Sequence, residues 1–321
     1  MRVMVAGATG AIGRRLVPML VGEGHEVTGI TRHASKQAEL AKLGARAVVA
    51  DAKDAAAVRQ AVRQAQPDAI VNQLTDLPQR LNPRQLGRIY AANNDVRHQG
   101  YRNILAAAKA SGVHRVVLQS SAYWYQPGPN PASETEPLYT HAPEPIGEAV
   151  RTMSRLEREH LESDIEACVL RYGMFYGPGT WYSPEGDVGQ QIRRRKYPII
   201  GRGEGSVSFV HVDDAARATM AALTAPPGVY NVVDDEPAPN GEWPNAFAQA
   251  LGAKPPRRVP VWLARLAAGP ALVEWLTHAR PASNRLARQR LRWEPEYRSW
   301  RTGFQAAFDE WDQAPVKVLA A

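Results

Sequence analysis

A doubly wound α/β fold is the architecture that three features of this sequence predict. In the first half of the 321 residues, short apolar runs rich in β-branched residues alternate with helical stretches, which is typical of a parallel sheet covered on both faces. A glycine-rich turn follows the first run and opens a helix. After about residue 235 the pattern changes to short helical segments. We therefore expect a Rossmann-type parallel sheet with a smaller, mainly helical C-terminal lobe.

The individual elements follow from this alternation. The apolar runs predict strands at 2–6, 26–31, 47–50, 69–72, 115–119 and 168–172. The helical stretches between them include 13–22, 55–64 and 96–111. Proline and glycine concentrate at 126–145 and 176–205, where we expect long loops at the mouth of a site. The organisation predicts a sheet domain at 1–175, to which 209–235 returns, and a second lobe formed by 176–208 and 236–321.

Composition and charge exclude several classes of protein. Hydrophobic residues make up 44% and charged residues 22%, as in globular domains. No run approaches the ~20 apolar residues of a membrane span, and the chain begins on a strand-like run rather than a signal peptide, so we expect a cytoplasmic protein without a membrane partner. The single cysteine, Cys168, and the absence of metal-ligand motifs predict no metal site. The net charge of +7 is spread along the chain without an RNA-binding motif, so we expect no nucleic-acid partner.

The turn after the first strand predicts a dinucleotide site. Gly7 permits a tight turn, Gly10 lets the backbone approach a pyrophosphate, and Gly13 lets the helix pack close to the sheet. The free N–H groups of the helix N-terminus would bind the phosphates. We expect this part of the site to consist of Gly7, Thr9, Gly10, Ala11, Ile12 and Gly13.

The end of the second strand predicts that the dinucleotide is NADP. An acidic residue at this position would bind the ribose 2′-hydroxyl of NAD, but the sequence has Thr31 and Arg32, with no carboxylate beside them. The planar guanidinium of Arg32 suits a 2′-phosphate; the alternative is that Arg32 is an ordinary surface residue. The ends of the third and fourth strands would line the adenosine, through Asp51, Ala52, Gln73 and Leu74.

Several further segments resemble the extended and atypical short-chain dehydrogenase/reductases, the NAD-dependent epimerase/dehydratase superfamily. In chain order, the segments that resemble the family's motifs lie at 100–105, 116–122, 170–179, 209–214 and 228–232. The resemblance implies an enzyme with a small-molecule substrate, in which 1–175 binds the NADP and the second lobe covers the nicotinamide and sets substrate choice. It also implies that a homodimer is a possible assembly.

The sequence departs from this family at the catalytic pair. The family uses a Y-x-x-x-K pair, in which tyrosine exchanges a proton with the substrate oxygen and lysine binds the nicotinamide ribose, but no tyrosine here has a lysine four residues later. Aligning Glu159 with the family's downstream glutamate places Arg151 at the tyrosine position and Arg155 at the lysine position. Arg151 cannot act as an acid or base because it stays protonated, but it could stabilise an anionic oxygen. Arg155 could bind the nicotinamide ribose.

Other residues could orient the substrate or supply a proton. Ser121 matches the family's serine, and Tyr123 is the preferred proton donor because alternation along a strand places it on the same face. Alternative donors are Tyr125, Tyr139, His141 and Tyr176. As substrate contacts we expect Tyr125, Tyr139, Tyr176 and Trp181.

Together these features predict an NADP-dependent oxidoreductase that acts on a carbonyl, a hydroxyl or an activated double bond of a small organic molecule. Two alternatives stay open. One is a redox-silent NADP-binding sensor that has lost its catalytic pair. The other is an epimerase, dehydratase or cyclase in which NADP is recycled or structural.

Overall fold

A computed structural model describes residues 1–313, and the side chains of residues 1–309. The strands are β1 (Arg2–Ala6), β2 (Glu26–Thr31), β3 (Arg46–Val49), β4 (Ala69–Asn72), β5 (Arg115–Ser121), β6 (Glu166–Tyr172), β7 (Met174–Tyr176), β8 (Ile199–Ile200), β9 (Ser206–Val207), β10 (Phe209–His211), β11 (Gly228–Val232), β12 (Ala238–Pro239) and β13 (Arg258–Val259).

The α-helices are α1 (Gly13–Gly22), α2 (Gln37–Lys42), α3 (Ala55–Ala65), α4 (Leu86–Asp95), α5 (Tyr101–Ala110), α6 (Ile146–Leu161), α7 (Asp187–Arg193), α8 (Val212–Ala221), α9 (Trp243–Ala250), α10 (Val261–Ala268), α11 (Pro270–His278), α12 (Arg285–Arg290) and α13 (Trp300–Gln313). Two 3₁₀ turns lie at Ala34–Lys36 and Pro83–Gln85. None of the helices within the described residues is long and apolar enough to cross a bilayer.

The centre of the molecule is a seven-stranded, wholly parallel sheet in the order β11-β6-β5-β4-β1-β2-β3. Strands β1 to β6 lie in the doubly wound order of a Rossmann fold, and the direction of this order reverses between β1 and β4. The fold class predicted from the sequence is confirmed. At such a reversal the carboxyl ends of the strands leave a crevice for ligands, and the glycine turn after β1 opens into it.

Helices cover both faces of the sheet because each presents an apolar stripe to it. On one face, Leu16 and Val17 of α1 pack with α8. On the other, Val58 and Val62 of α3 pack with Ile104 of α5. Helix α3 begins where the Asp54 carboxylate caps the N–H groups of the first turn.

One helix differs from the sequence prediction of 96–111. Helical structure already begins at Leu86, and α4 and α5 are joined by a π-helical turn, Val96–Gly100. A π turn inserts one extra residue into the helical repeat and frequently lies at a functional site. It rotates Arg97 into the space between α4 and α6, where the side chain is buried.

The chain after β6 alternates between the sheet and a second cluster of elements. Strand β11 returns to the sheet edge beside β6, while an aromatic core that includes Phe209, Trp243, Phe247 and Phe304 joins β10, α9 and α13. The division into a sheet domain and a substrate lobe stays a prediction, and residues 314–321 of that predicted lobe lie outside the described part.

Candidate active site

The glycine turn after β1 has the backbone conformation that a pyrophosphate requires. Gly7 has φ +87°, and a Cβ on it would lie 2.7 Å from the Gln73 carbonyl oxygen. A Cβ on Gly13 would lie 2.4 Å from the Gly7 carbonyl oxygen, so only glycine permits this close packing. The N–H groups of Ala11 and Ile12 donate to no carbonyl within the described residues. The start of α1 therefore fits the phosphates of a dinucleotide.

The end of β2 presents a cation without a neighbouring acid in sequence. Thr31 is buried, and its hydroxyl hydrogen-bonds the backbone of His33. Arg32 is half exposed, and its Nη2 lies 3.1 Å from Asp76 in the loop after β4. This ion pair crosses the crevice at the adenosine end. Because exposed pairs are worth no more than about 1 kcal/mol, Arg32 can exchange Asp76 for a ligand anion.

Two more cations, on α1 and in the 3₁₀ turn after β2, share one carboxylate. Arg14 of α1 and Lys36 both bind the carboxylate of Glu39, at 2.6 Å and 3.0 Å. Burial opposes the charge of Glu39, but these hydrogen bonds hold its pKa below the usual range. The net charge of this group of three side chains is positive, which suits a phosphate.

The expected adenosine contacts lie at the carboxyl ends of β3 and β4. Asp51 is exposed, and Ala52 is buried, with its carbonyl bound by Asn103. Gln73 is buried, and its Nε2 donates to the Tyr172 hydroxyl at 3.1 Å, so only its backbone faces the crevice beside Gly7. Leu74 is half-buried.

A small cavity lies at the other end of the crevice, between the end of β5, helix α4 and helix α6. The predicted pair of Ser121 and Tyr123 lines it together. The face of α6 that closes the cavity carries Ala149 and Met153, both buried. The opposite wall consists of Leu77, Tyr90, Asn93, Asn94, Arg97 and Trp124.

Arg151 and Arg155 do not line this cavity. Both are exposed, and Arg151 binds Glu144 at 2.5 Å and the Thr140 carbonyl at 3.0 Å. Ala149 and Met153 lie two residues earlier on the helix, and two residues correspond to a rotation of about 200°. The alignment on Glu159 therefore names residues on the face of α6 that points away from this cavity, and their catalytic role stays a prediction.

Glu157, rather than Glu159, is the buried glutamate of this helix. Its carboxylate binds Arg171 of β6, with Nη2 to Oε2 at 2.5 Å, and accepts a hydrogen bond from Ser120. Burial lowers the pKa of Arg171, but the contacts with Glu157 outweigh it and raise that pKa above its ordinary value. Counting back from Glu157 instead of Glu159 puts Ala149 and Met153 at the positions of the family's tyrosine and lysine.

Of the other predicted site residues, some are buried in the protein core and others lie nearer the surface. The Tyr125 hydroxyl is buried between Asn231 and Arg171, both 2.7 Å away, and Tyr176 is fully buried in the aromatic core. Trp181 donates to the Pro78 carbonyl at 3.0 Å and closes the loop after β4. Tyr139 packs in the cluster of Tyr123 and Trp275, and His141 is exposed. The structure thus brings Ser121 and Tyr123 together, but not Tyr125 or Tyr176.

Sequence reasoning missed Ala149, Met153, Asn94 and Arg97. Ala149 and Met153 carried a signal only in the register of α6 that counts back from Glu157. Arg97 carried none, because a buried arginine in a polar helix segment is indistinguishable in sequence from a surface one. Among the described residues, no group of three or more His, Cys, Asp or Glu side chains could hold a metal ion.

The model of the NAD dependent epimerase/dehydratase family matches residues 3–232. The chain belongs to this family. The resemblance inferred from the sequence is thereby confirmed.

Among relatives of this family member, the 3-diazoavenalumate denitrifying reductase of a Streptomyces species is 43% identical over 306 residues, covering 94% of this chain and 99% of the relative. The dTDP-4-dehydro-6-deoxy-D-allose reductase of a Streptomyces species is 29% identical over 69% of this chain and 72% of its own. The structure of the Thermus thermophilus UDP-glucose 4-epimerase in complex with NAD superposes with a TM-score of 0.76 at 24% identity, covering 98% of this chain and all of that one.

The chain is an enzyme, an oxidoreductase of the epimerase/dehydratase family.

Proposed function

We propose that this oxidoreductase is an NADPH-dependent reductase that removes the diazo group of a small aromatic acid. The observation that carries the proposal is the 43% identity, over nearly the whole of both chains, with a reductase named for the denitrification of a diazo acid. An aromatic substrate is proposed because aromatic side chains line the cavity, namely Tyr90, Tyr123 and Trp124.

The side chains at the catalytic face favour this chemistry over carbonyl reduction. Reduction of a carbonyl places a proton on oxygen, which the family's tyrosine supplies, but Ala149 at that position has no proton to give. When bound, a reduced nicotinamide supplies a hydride, and its addition to the terminal nitrogen of an arenediazonium gives an aryldiazene that loses N₂ and leaves a C–H bond. No proton transfer to oxygen is needed, so the absence of the tyrosine is compatible with turnover.

The remaining residues of the cavity would position the substrate. Trp124 and Tyr90 both line the cavity, with ring centroids 6.0 Å apart. A planar substrate ring would pack edge-on or offset against them. Ser121 would donate a hydrogen bond to a substrate oxygen, and Tyr123 would close the cavity on the side of Trp275.

The choice of NADPH rests on the end of β2. Arg32 would bind the 2′-phosphate in place of Asp76; Thr31 precedes it at the end of β2, and Lys36 follows in the 3₁₀ turn. The turn of Gly7, Thr9, Gly10, Ala11, Ile12 and Gly13 would hold the pyrophosphate, and Asp51, Ala52, Gln73 and Leu74 would line the adenosine. A homodimer and a cytoplasmic location remain predictions from the sequence.

A carbonyl reductase is the second candidate function. Its support is the 29% identity with a reductase of a dehydro sugar nucleotide and the position of Tyr123, whose hydroxyl could replace the missing tyrosine. Under this alternative Tyr123→Phe abolishes turnover, whereas under the diazo proposal it changes mainly substrate affinity. Similarity to named reductases disfavours the redox-silent sensor.

The test offers the purified enzyme two electrophiles with NADPH and follows oxidation of the cofactor. One is diazotised 3-amino-4-hydroxybenzoate, and the other is a small keto acid. We expect NADPH oxidation with the diazo compound, above the rate without enzyme, and a reaction with NADH at least about tenfold slower. Oxidation with the keto acid but not with the diazo compound would replace this proposal by the second candidate.

A further inference from the structure

Two polar side chains beside the cavity have no protein partner for atoms that are buried. Arg97 and Asn94 are each 8% exposed. Within the described residues, Nε of Arg97 and both side-chain polar atoms of Asn94 make no hydrogen bond. Leaving one such group unsatisfied costs about 1–3 kcal/mol, and more for a charged group. Buried polar groups almost always have a hydrogen-bond partner. The unpartnered atoms of Asn94 and Arg97 therefore indicate a ligand that supplies the missing hydrogen bonds.

The charge of Arg97 is not neutralised by the residues around it. Its Nη1 lies 2.5 Å from Sδ of Met153, a weak acceptor. The charged or titratable groups that act on it are Glu157 of α6 and Tyr123. Glu157 is already bound by Arg171 and Ser120. Burial lowers the pKa of Arg97, and an anion beside it would offset that desolvation.

The two side chains line the same cavity. Asn94 lies near the end of α4 and Arg97 lies three residues later in the π turn, so they share a helix face. Both line the cavity that Ser121 and Ala149 also line. Three hydrogen-bond donors, one of them a cation, therefore surround the space left by the missing tyrosine.

We propose that Arg97, Asn94 and Ser121 bind an anionic oxygen of the substrate that is conjugated with the reacting diazo carbon. The inference rests on the proposed function, because it specifies a substrate with an oxygen ortho or para to the diazo group. In such a quinone diazide, hydride addition at the terminal nitrogen moves an electron pair onto the ring oxygen. The resulting phenolate diazene then loses N₂ and becomes a phenolate, so atoms and charge balance. Arg97 stabilises the oxygen as the charge arrives and transfers no proton.

A phenol whose two charge states differ in colour tests this site without catalysis. In the complex of the enzyme with NADP⁺, 4-nitrophenol is titrated with pH, and the fractions bound as phenol and as phenolate are read from the absorbance. We expect the wild-type enzyme to lower the pKa of the bound phenol by at least about one unit, which is a tenfold preference for phenolate. Arg97→Gln should abolish this preference, and Arg97→Lys should retain part of it because the charge remains but the planar fork is lost.

The controls separate this site from folding and from the proposed function. Arg102→Gln removes an exposed cation that pairs with Glu159 and should leave the preference unchanged. If Arg97→Gln does not fold, Asn94→Ala carries the test, with an expected severalfold loss of phenolate affinity. No bound phenolate in the wild type, or an unchanged preference in folded Arg97→Gln and Asn94→Ala, overturns the inference. A normal phenolate preference in an enzyme that never reduces the diazo compound supports this anion site and refutes the proposed function alone.

Discussion

The guanidinium of Arg97 lies against the thioether of Met153, with Nη1 2.5 Å from Sδ. Met153 and Ala149 are four residues apart on the face of α6 that closes the cavity, which is the spacing of the family's lysine and tyrosine. In the proposed site the cation therefore comes from the π turn between α4 and α5 instead of from α6. Under the proposed function, this arrangement places a positive charge beside the substrate without a proton donor at the tyrosine position.

The first prediction concerns the position of the buried cation, which can lie at residue 97 or at residue 153. Met153→Lys places a second buried charge against Arg97, and an uncompensated buried charge costs about 3–5 kcal/mol. We expect the free energy of unfolding in urea to fall by several kcal/mol. The double variant Arg97→Met with Met153→Lys restores a single cation and should recover most of the loss. Met153→Leu, which conserves volume, should cost less than about 1.5 kcal/mol; a double variant no more stable than Met153→Lys alone would show that the two side chains are independent.

The second prediction concerns the arginines of the outer face of α6. Arg151→Ala and Arg155→Ala should each change kcat/KM less than about twofold, because exposed side chains away from the cavity contribute little. Arg151→Ala also releases Glu144, whose pKa is held low mainly by its hydrogen bond with Arg151. Steady-state kinetics with NADPH and the diazo compound provide the measurement. A loss of a hundredfold or more would restore the register based on Glu159.

The third prediction concerns the cofactor. Arg32→Asp should weaken NADPH binding about tenfold to a hundredfold, since a charge-assisted contact with a phosphate is worth about 1.5–3 kcal/mol. The affinity for NADH should stay the same or improve, because an acid at this position suits the 2′-hydroxyl. Arg63→Asp makes the same charge change at an exposed site on α3 and serves as the control in calorimetric titrations. Equal losses in both variants would assign the effect to net charge.

The fourth prediction is an acid sensitivity that originates in His160. This side chain of α6 is fully buried, with Nε2 2.9 Å from the Val116 carbonyl, and burial lowers its pKa from 6.5 to about 4. Between these values the unfolded chain binds a proton that the folded chain does not. Stability is therefore present above pH 6.5 and is lost as the pH falls toward about 4. The full difference corresponds to about 3 kcal/mol.

His160→Gln tests this account, because glutamine keeps a donor for the Val116 carbonyl without titrating. Urea unfolding at several pH values should show a smaller decrease between pH 6.5 and 4 in the variant than in the wild type. Parallel curves for the two proteins would place the acid sensitivity elsewhere.

The sheet and the cofactor turn could be predicted from sequence because local patterns determine them. Strands buried on both faces leave unbroken apolar runs, as in β1, and the tight turn at Gly7 requires glycine. These signals depend on the neighbouring residues of the chain. Hence the fold class and the family resemblance were confirmed.

The face of α6 that we propose as catalytic could not be predicted in the same way. Glu157 and Glu159 lie two residues apart on one helix, and only burial distinguishes them: Glu157 binds Arg171 inside the protein, whereas Glu159 pairs with exposed Arg102. The position of Arg97 depends on a π turn, which an apolar repeat does not reveal. Tyr125 was expected at the site, but its hydroxyl hydrogen-bonds Asn231 and Arg171, which are distant in sequence.

The central claim is reductive loss of nitrogen, and a product balance with a nitrogen-15 label in the diazo group tests it most directly. Enzyme, NADPH and diazotised 3-amino-4-hydroxybenzoate are incubated, and the labelled gas, the oxidised cofactor and the aromatic products are quantified together, with a sample lacking enzyme as the control. We predict equal amounts of labelled N₂, NADP⁺ and 4-hydroxybenzoate, in excess over that control. A product that retains its nitrogen, or one with a hydroxyl in place of the diazo group and no oxidised cofactor, would contradict the account.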